Sequence, residues 1–254
     1  MKYTIYLPIS RPSMLQGLAD CVADLKFPIA DTELVVLADT DSATFFGRVW
    51  DAFKEVERQR ECLFGGFKVH VTKRGPLLES ASILERRMRV IENWEMAKGL
   101  IGDTKLLFSL EDDTRCLPES FYQLMSHLDG CDYAEGVQVH RRGTSAIGAW
   151  VITDNIVQSI PWDREGWQFI DGGGFYCFAC RTHLVKEANF REGGPAFGPD
   201  VCFVNDIIRR GRYAIIDWDV PTAHILESGE ALIPWWGVGQ ITYRKNPVTG
   251  EWAC

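Results

Sequence analysis

The chain has 254 residues, 46% hydrophobic and 24% charged, with a formal net charge of −8. At about 100–200 residues per domain this length fits one large core or two small ones, and the composition excludes disordered and fibrous classes. No apolar run reaches the roughly 18 residues of a membrane span, and the acidic balance gives no overall pull toward phosphate polymers, although "ERRMRVIENW" (85–94) and "HRR" (140–142) are locally basic.

The first apolar stretch, "YTIYLPI" (3–9), predicts a strand. Pro8 within it, and Arg11 and Pro12 after it, break the uninterrupted core a secretion signal needs, so a cytoplasmic protein is expected. Leu15, Leu18, Val22 and Leu25 recur at helical spacing over 13–25. "ELVVLAD" (33–39) is the near-continuous apolar run of a strand covered on both faces. A helix over 42–60, a strand over 67–73 and a long helix over 77–100 follow. "TKLLFSLED" (104–112) predicts a fourth strand and "PESFYQLMSHL" (118–128) the helix after it.

Strand and helix thus alternate four times, the pattern of an α/β fold with a mostly parallel central sheet and helices on both faces. Such sheets bind ligands at the carboxyl ends of their strands. "SRP" (10–12), "ADTDS" (38–42) and "EDDT" (111–114) are therefore expected to meet at one rim.

The second half changes character. Segments 133–140 and 147–153 predict paired strands, "DGGG" (171–174) leads into a strand over 174–181, and a short helix (203–211) precedes a strand over 213–220. These elements predict a smaller mixed sheet on this side. The eight cysteines are scattered. "CFAC" (177–180) lies in a predicted strand, where its two sulfurs point to opposite faces, so it reads as core thiols rather than a metal or redox motif. The tail from 227 to 254 carries Trp235 and Trp236, which read as a lid or stacking platform or as packing against the body.

The chemistry concentrates in Glu111, Asp112 and Asp113. Like charges this close raise one another's pKa or recruit a cation. Alternation places Glu111 and Asp113 on one side of an extended chain, toward a hard divalent ion, Mn²⁺ or Mg²⁺, that shares phosphate oxygens. A solvated acidic turn is the plain alternative.

The order "YLPISRPSMLQGLADCVADL…ELVVLADTDS…KLLFSLEDDTRCLPESFYQLM" resembles the nucleotide-binding half of family 2-like GT-A glycosyltransferases, with Glu111–Asp113 in place of the DxD motif. "DGGGFYCFACRTHLVKEANFRE", "FGPDVCFVNDIIRRGRYAI" and "PTAHI" resemble the acceptor half. The resemblance implies a single Rossmann-like GT-A domain over 1–226, divided into a nucleotide-sugar half (1–115) and an acceptor half (116–226). It implies a metal-dependent hexosyl- or pentosyltransferase that uses a nucleotide-diphosphate sugar, UDP favoured.

On the resemblance, Pro8, Ser10, Arg11, Asp39, Asp41, Arg87, Glu111 and Asp112 line the donor pocket, with Arg86 and Arg89 as alternatives to Arg87. Asp113 and His224 hold the ion. Asp200 is the general base of an inverting reaction, or else the N-cap of its helix. Asp171, Gly172, Gly173, Trp235 and Trp236 face sugar or acceptor. Glu111 departs from the motif's first Asp, and Pro199 stands where an acid usually precedes the base. The acceptor stays open among a saccharide, a small molecule, a protein and a hydroxylated base in DNA. A nucleotidyltransferase and a non-catalytic nucleotide- or sugar-binding module are the competing classes; the former normally carries a Gly-rich phosphate loop that "SRPSML" lacks.

Overall fold

The computed structural model describes residues 1–254 except 76, 78–79, 140–145, 155, 162–164, 235–241, 246–251 and 254. In chain order its elements are β1 (Tyr3–Ile9), α1 (Leu15–Asp24), β2 (Thr32–Ala38), α2 (Ala43–Gln59), β3 (Gly66–Val71), α3 (Ile83–Leu100), β4 (Leu106–Leu110), β5 (Thr114–Arg115) and α4 (Ser120–His127). The second half contributes β6 (Tyr133–Val137), β7 (Trp150–Thr153), β8 (Ile156–Ser159), β9 (Trp167–Phe169), β10 (Cys177–Arg181), α5 (Thr182–Glu187), α6 (Pro199–Arg209), β11 (Ala214–Pro221), β12 (Ala223–Ile225), β13 (Ala231–Leu232), β14 (Thr242–Lys245) and β15 (Trp252–Ala253).

Eight strands form the central sheet in the order β3-β2-β1-β4-β10-β6-β11-β9. The first four are mutually parallel, β10 runs antiparallel between β4 and β6, and β11 lies parallel to β6. The carboxyl ends of β1, β2, β4, β6 and β11 therefore share one rim with the amino end of β10.

Each strand divides its side chains between the two faces. In β2, Leu34, Val36 and Ala38 pack with α1, α2 and α4, while Val35 and Leu37 pack with the face covered by α3, α5 and α6. Cys177 and Cys180 separate in the same way, as the strand reading of "CFAC" requires, and the seven described cysteines are free thiols.

Several boundaries move for local reasons. Helix α3 starts at Ile83, not 77, because Ser82 and Glu85 form a reciprocal capping box. Helix α6 starts at Pro199, whose missing N–H costs nothing at a first helical position, so the helix is longer than the predicted 203–211. The predicted pairing of 133–140 with 147–153 shrinks to the bridge Val139–Ile147. Instead β6 joins the central sheet, while β7 pairs with β8 in a separate four-stranded sheet that also holds β14 and β15. A three-stranded sheet, β13-β12-β5, stands beside the acidic turn.

Candidate active site

The acidic turn after β4 is held from three sides. The two Asp112 oxygens accept from the backbone N–H groups of Ser10 and Arg11, both at 2.8 Å, from Ser10 Oγ at 3.3 Å and from Arg11 Nε at 3.1 Å. Arg11 Nη2 closes a second guanidinium contact to Asp112. With Asp112 2% exposed, this carboxylate is committed to joining the β1 turn to the β4 turn. Arg11 also reaches the neighbouring acid, its Nη1 lying 2.7 Å from Asp113 Oδ2. Burial disfavours the Arg11 charge, but Asp112 and Asp113 outweigh it and hold the guanidinium above its ordinary pKa.

Asp113 is fully buried, and its Oδ2 also lies 3.0 Å from His224 Nε2. The two expected metal ligands, 111 positions apart in sequence, are thus neighbours. Strand β12 brings them together: His224 pairs with Thr114 in register, and the Ile225 N–H donates to the Asp113 carbonyl at 2.7 Å. A carboxylate beside an imidazole suits Mn²⁺, and a phosphate-bound divalent ion needs only one or two protein ligands. Among the described residues no group of three or more such ligands gathers, and Arg11 shares the same Asp113 oxygen.

Glu111 turns the other way. It lines a cavity of about 360 Å³ together with Arg86, Gln138, Trp150, Tyr176 and Asp200. Asp200 lies in the first turn of α6 but is not its N-cap, a position held by Gly198; its Oδ1 accepts from Val201 N at 2.9 Å. A carboxylate there gains from the helix dipole. Arg87 lines the cavity but spends its guanidinium on the loop before α6, donating to Glu192 Oε1 at 2.6 Å and to the carbonyls of Gly194 and Pro195 at 2.7 and 3.2 Å. Arg86 donates to the Ala81 carbonyl at 3.1 Å.

The glycine turn sits on the same wall, with its missing side chains directed at protein. A Cβ on Gly172 would meet Val201 Cγ1 at 2.6 Å, one on Gly173 would collide with the Glu135 carboxylate, and one on Gly174 with the Tyr176 ring. Asp171 Oδ2 accepts from Ile152 N at 2.8 Å, tying this turn to β7.

At the β2 end, Asp39 is buried among Thr72 (2.8 Å), Arg89 (3.0 Å), Arg74 (3.1 Å) and Asn93 (3.2 Å). Asp41 is exposed beside Gly75, and Pro8 is half-buried opposite Leu37 in the β1–β2 register. Trp235 and Trp236 lie outside the described residues.

Sequence reading overlooked Glu135, Tyr176 and Gln138 on this rim, and Tyr6, whose buried hydroxyl has no hydrogen-bond partner among the described residues. Burial, reinforced by Asp39 and Glu111, pushes the Tyr6 phenol up. Nothing in the sequence marks Tyr6 or Tyr176 except strand alternation, which assigns both to a packed face.

A scan against protein-family models finds no match, and a search of curated proteins finds none in sequence. Among solved structures the chain is similar to the mannosyltransferase PcManGT from Pyrobaculum calidifontis in complex with GDP-Man and Mn²⁺, with TM-score 0.56 and 12% identity over 86% of this chain and 55% of that one. It is also similar to TarS 1-349 from S. aureus in complex with UDP, with TM-score 0.51 and 16% identity over 86% of this chain and 58% of that one. The chain spans a little over half the length of each. These likenesses show the fold, a GT-A-type α/β domain with a mostly parallel central sheet, helices on both faces and smaller antiparallel sheets. No described helix is long and apolar enough to cross a membrane.

Proposed function

We propose that the chain is a metal-dependent glycosyltransferase that moves a sugar from a nucleotide-diphosphate donor, UDP-sugar favoured, to an acceptor hydroxyl with inversion. The observation that carries this reading is the cavity at the carboxyl rim, where Glu111 from the β4 turn and Asp200 from α6 line one space. GT-A neighbours bound to GDP-Man with Mn²⁺ and to UDP support it.

On this reading Asp200 takes the proton of the acceptor hydroxyl as its oxygen bonds to the anomeric carbon. The bond from that carbon to the diphosphate oxygen breaks, and the diphosphate leaves with the electron pair. Asp113 and His224 would hold Mn²⁺ or Mg²⁺, which supplies Lewis-acid neutralisation of the diphosphate when bound. Arg86, which lines the cavity with Glu111 and Asp200, is assigned to the diphosphate on that placement. Gln138, whose Nε2 donates to Thr114 Oγ1 at 2.8 Å, holds the cavity wall against the acidic turn. Residues 1–226 act as one catalytic unit.

A hydrolysis panel of UDP-, GDP- and dTDP-sugars with Mn²⁺ or Mg²⁺ tests the class and names the donor. Asp200→Asn is expected to lower turnover by about 10²–10⁴-fold with donor affinity kept. Full turnover in that variant removes the base assignment, and nucleotide binding without any donor turnover by the wild type favours a binding module.

A further inference from the structure

Beneath the glycine turn lies an ionisable group that the proposed reaction does not use. Glu135, in the middle of β6, is fully buried, and no cation among the described residues pairs with it. Two phenols and one backbone N–H meet its carboxyl, and each phenol also meets a backbone carbonyl. Tyr133 Oη lies 2.7 Å from Glu135 Oε2 and 2.7 Å from the Gly174 carbonyl. Tyr176 Oη lies 3.3 Å from Glu135 Oε1 and 3.1 Å from the Gly136 carbonyl. Gly174 N–H donates to Glu135 Oε2 at 2.8 Å.

These are four oxygen–oxygen contacts. Each needs a hydrogen, and two phenols supply only two. An anionic Glu135 leaves two contacts between bare acceptors in a buried, low-dielectric place, a costly arrangement. A proton on Oε1 resolves one of them: Glu135 donates to Tyr176 Oη, and Tyr176 donates to the Gly136 carbonyl. Tyr133 then donates to the Gly174 carbonyl or to Oε2, which also accepts the Gly174 N–H.

The network reaches the reacting groups through covalent and hydrogen-bonded steps. Tyr176 and Gly174 line the cavity with Asp200. The Tyr176 carbonyl accepts the Glu111 N–H at 2.9 Å, so the ring that Glu135 fixes is one residue's backbone away from the acidic turn. Gly173 has no room for a Cβ because Glu135 occupies it.

We propose that Glu135 is a protonated positioning residue that holds the Gly172–Gly174 turn and Tyr176 in register with Glu111 and Asp200. The catalytic consequence rests on the glycosyltransferase reading; the proton and the turn do not. Burial, with Asp200 adding to it, pushes the Glu135 carboxyl well above the ordinary glutamate value, against the hydrogen bonds from Tyr133, Gly174 and Tyr176 that favour the anion. Among the described residues the titratable groups facing Glu135 are Tyr133 from β6, Tyr176 ahead of β10 and Asp200 from α6, the last adding negative charge and favouring the proton.

The test compares wild type, Glu135→Gln, Glu135→Ala and Tyr176→Phe. Infrared spectroscopy at neutral pH is expected to show a protonated-carboxyl C=O stretch that Glu135→Gln removes. Amide exchange at 172–174 is expected to accelerate in Glu135→Ala and Tyr176→Phe but not in Glu135→Gln, whose amide N–H replaces the acid proton. With a donor that turns over, kcat should stay within about threefold in Glu135→Gln and fall roughly 10–100-fold in Tyr176→Phe, with donor Kd unchanged. Absence of the infrared band, or exchange and kcat in Glu135→Gln as perturbed as in Tyr176→Phe, overturns the proposal. A wild type that turns over no donor sinks the functional reading alone, since the band and the exchange still decide the proton and the turn.

Discussion

Asp112→Asn separates two roles for the middle acid of the turn. The resemblance to glycosyltransferases places Asp112 against the donor, whereas among the described residues its carboxylate bonds only to Ser10 and Arg11. An asparagine keeps one oxygen, enough to accept the Ser10 and Arg11 backbone N–H groups, but it turns an NH₂ toward Arg11 Nε and Nη2. Breaking a buried ion pair by removing one partner costs about 3–5 kcal/mol. Arg11 retains Asp113 at 2.7 Å, so the lower end applies, about 3 kcal/mol. Asp112→Ala also strands two backbone donors at about 1–3 kcal/mol each, for a loss of roughly 5 kcal/mol or more. Urea denaturation reads these differences directly. In a chain of this size Asp112→Asn should lower Tm by about 6–12 °C, at roughly 2–4 °C per kcal/mol. UDP affinity measured well below the transition should be unchanged. A loss under about 1 kcal/mol together with weakened UDP binding would refute the structural role and return Asp112 to the donor.

Because burial raises Glu135 above the ordinary glutamate value of 4.5, its proton-linked stability is complete below that pH and is lost as pH rises through the folded pKa. Wild type should therefore lose stability relative to Glu135→Gln at up to about 1.4 kcal/mol per pH unit on the alkaline side, measured by urea midpoints from pH 5 to 8; a pH-independent difference contradicts it. Gly173→Ala should cost roughly 1–3 kcal/mol, since the new methyl displaces Glu135, and a neutral result would mean the turn can rise off β6. Arg87→Ala should speed amide exchange over 192–198 and raise acceptor KM while leaving UDP affinity alone; a selective loss of UDP binding would instead place Arg87 on the diphosphate.

Much of the first half was legible because each element carries its own period. The near-continuous apolar run in 33–39 names a strand buried on both faces, and the helical spacing in 13–25 names the buried side of α1. Local chemistry that was present and overlooked moved α3: Ser82-x-x-Glu85 is a capping box written in the sequence. What stayed hidden is long-range. Arg11 and Asp112 are 101 positions apart, and only sheet closure tells which strand end a side chain meets. Glu135 looked like an ordinary strand residue because burial on both faces, and a tyrosine arriving from 41 positions away, are properties of the folded sheet.

The acidic turn is divided, not shared. Asp112 and Asp113 both bind the Arg11 guanidinium, while Glu111 lines the cavity. A divalent cation at Asp113 and His224 would meet a site already partly neutralised, with a guanidinium on the same oxygen. Protein ligands alone should therefore hold Mn²⁺ weakly, and a diphosphate supplying further oxygens and negative charge should strengthen it. Binding free energies are reciprocal, so Mn²⁺ must tighten UDP by the same factor. We expect at least about tenfold coupling, roughly 1.4 kcal/mol, in calorimetric titrations of each ligand with and without the other. Arg11→Lys, which loses the fork that spans both acids, should strengthen Mn²⁺ binding without UDP and so shrink the coupling. Tight Mn²⁺ binding by the wild type alone, indifferent to UDP, would show that Arg11 does not compete for Asp113.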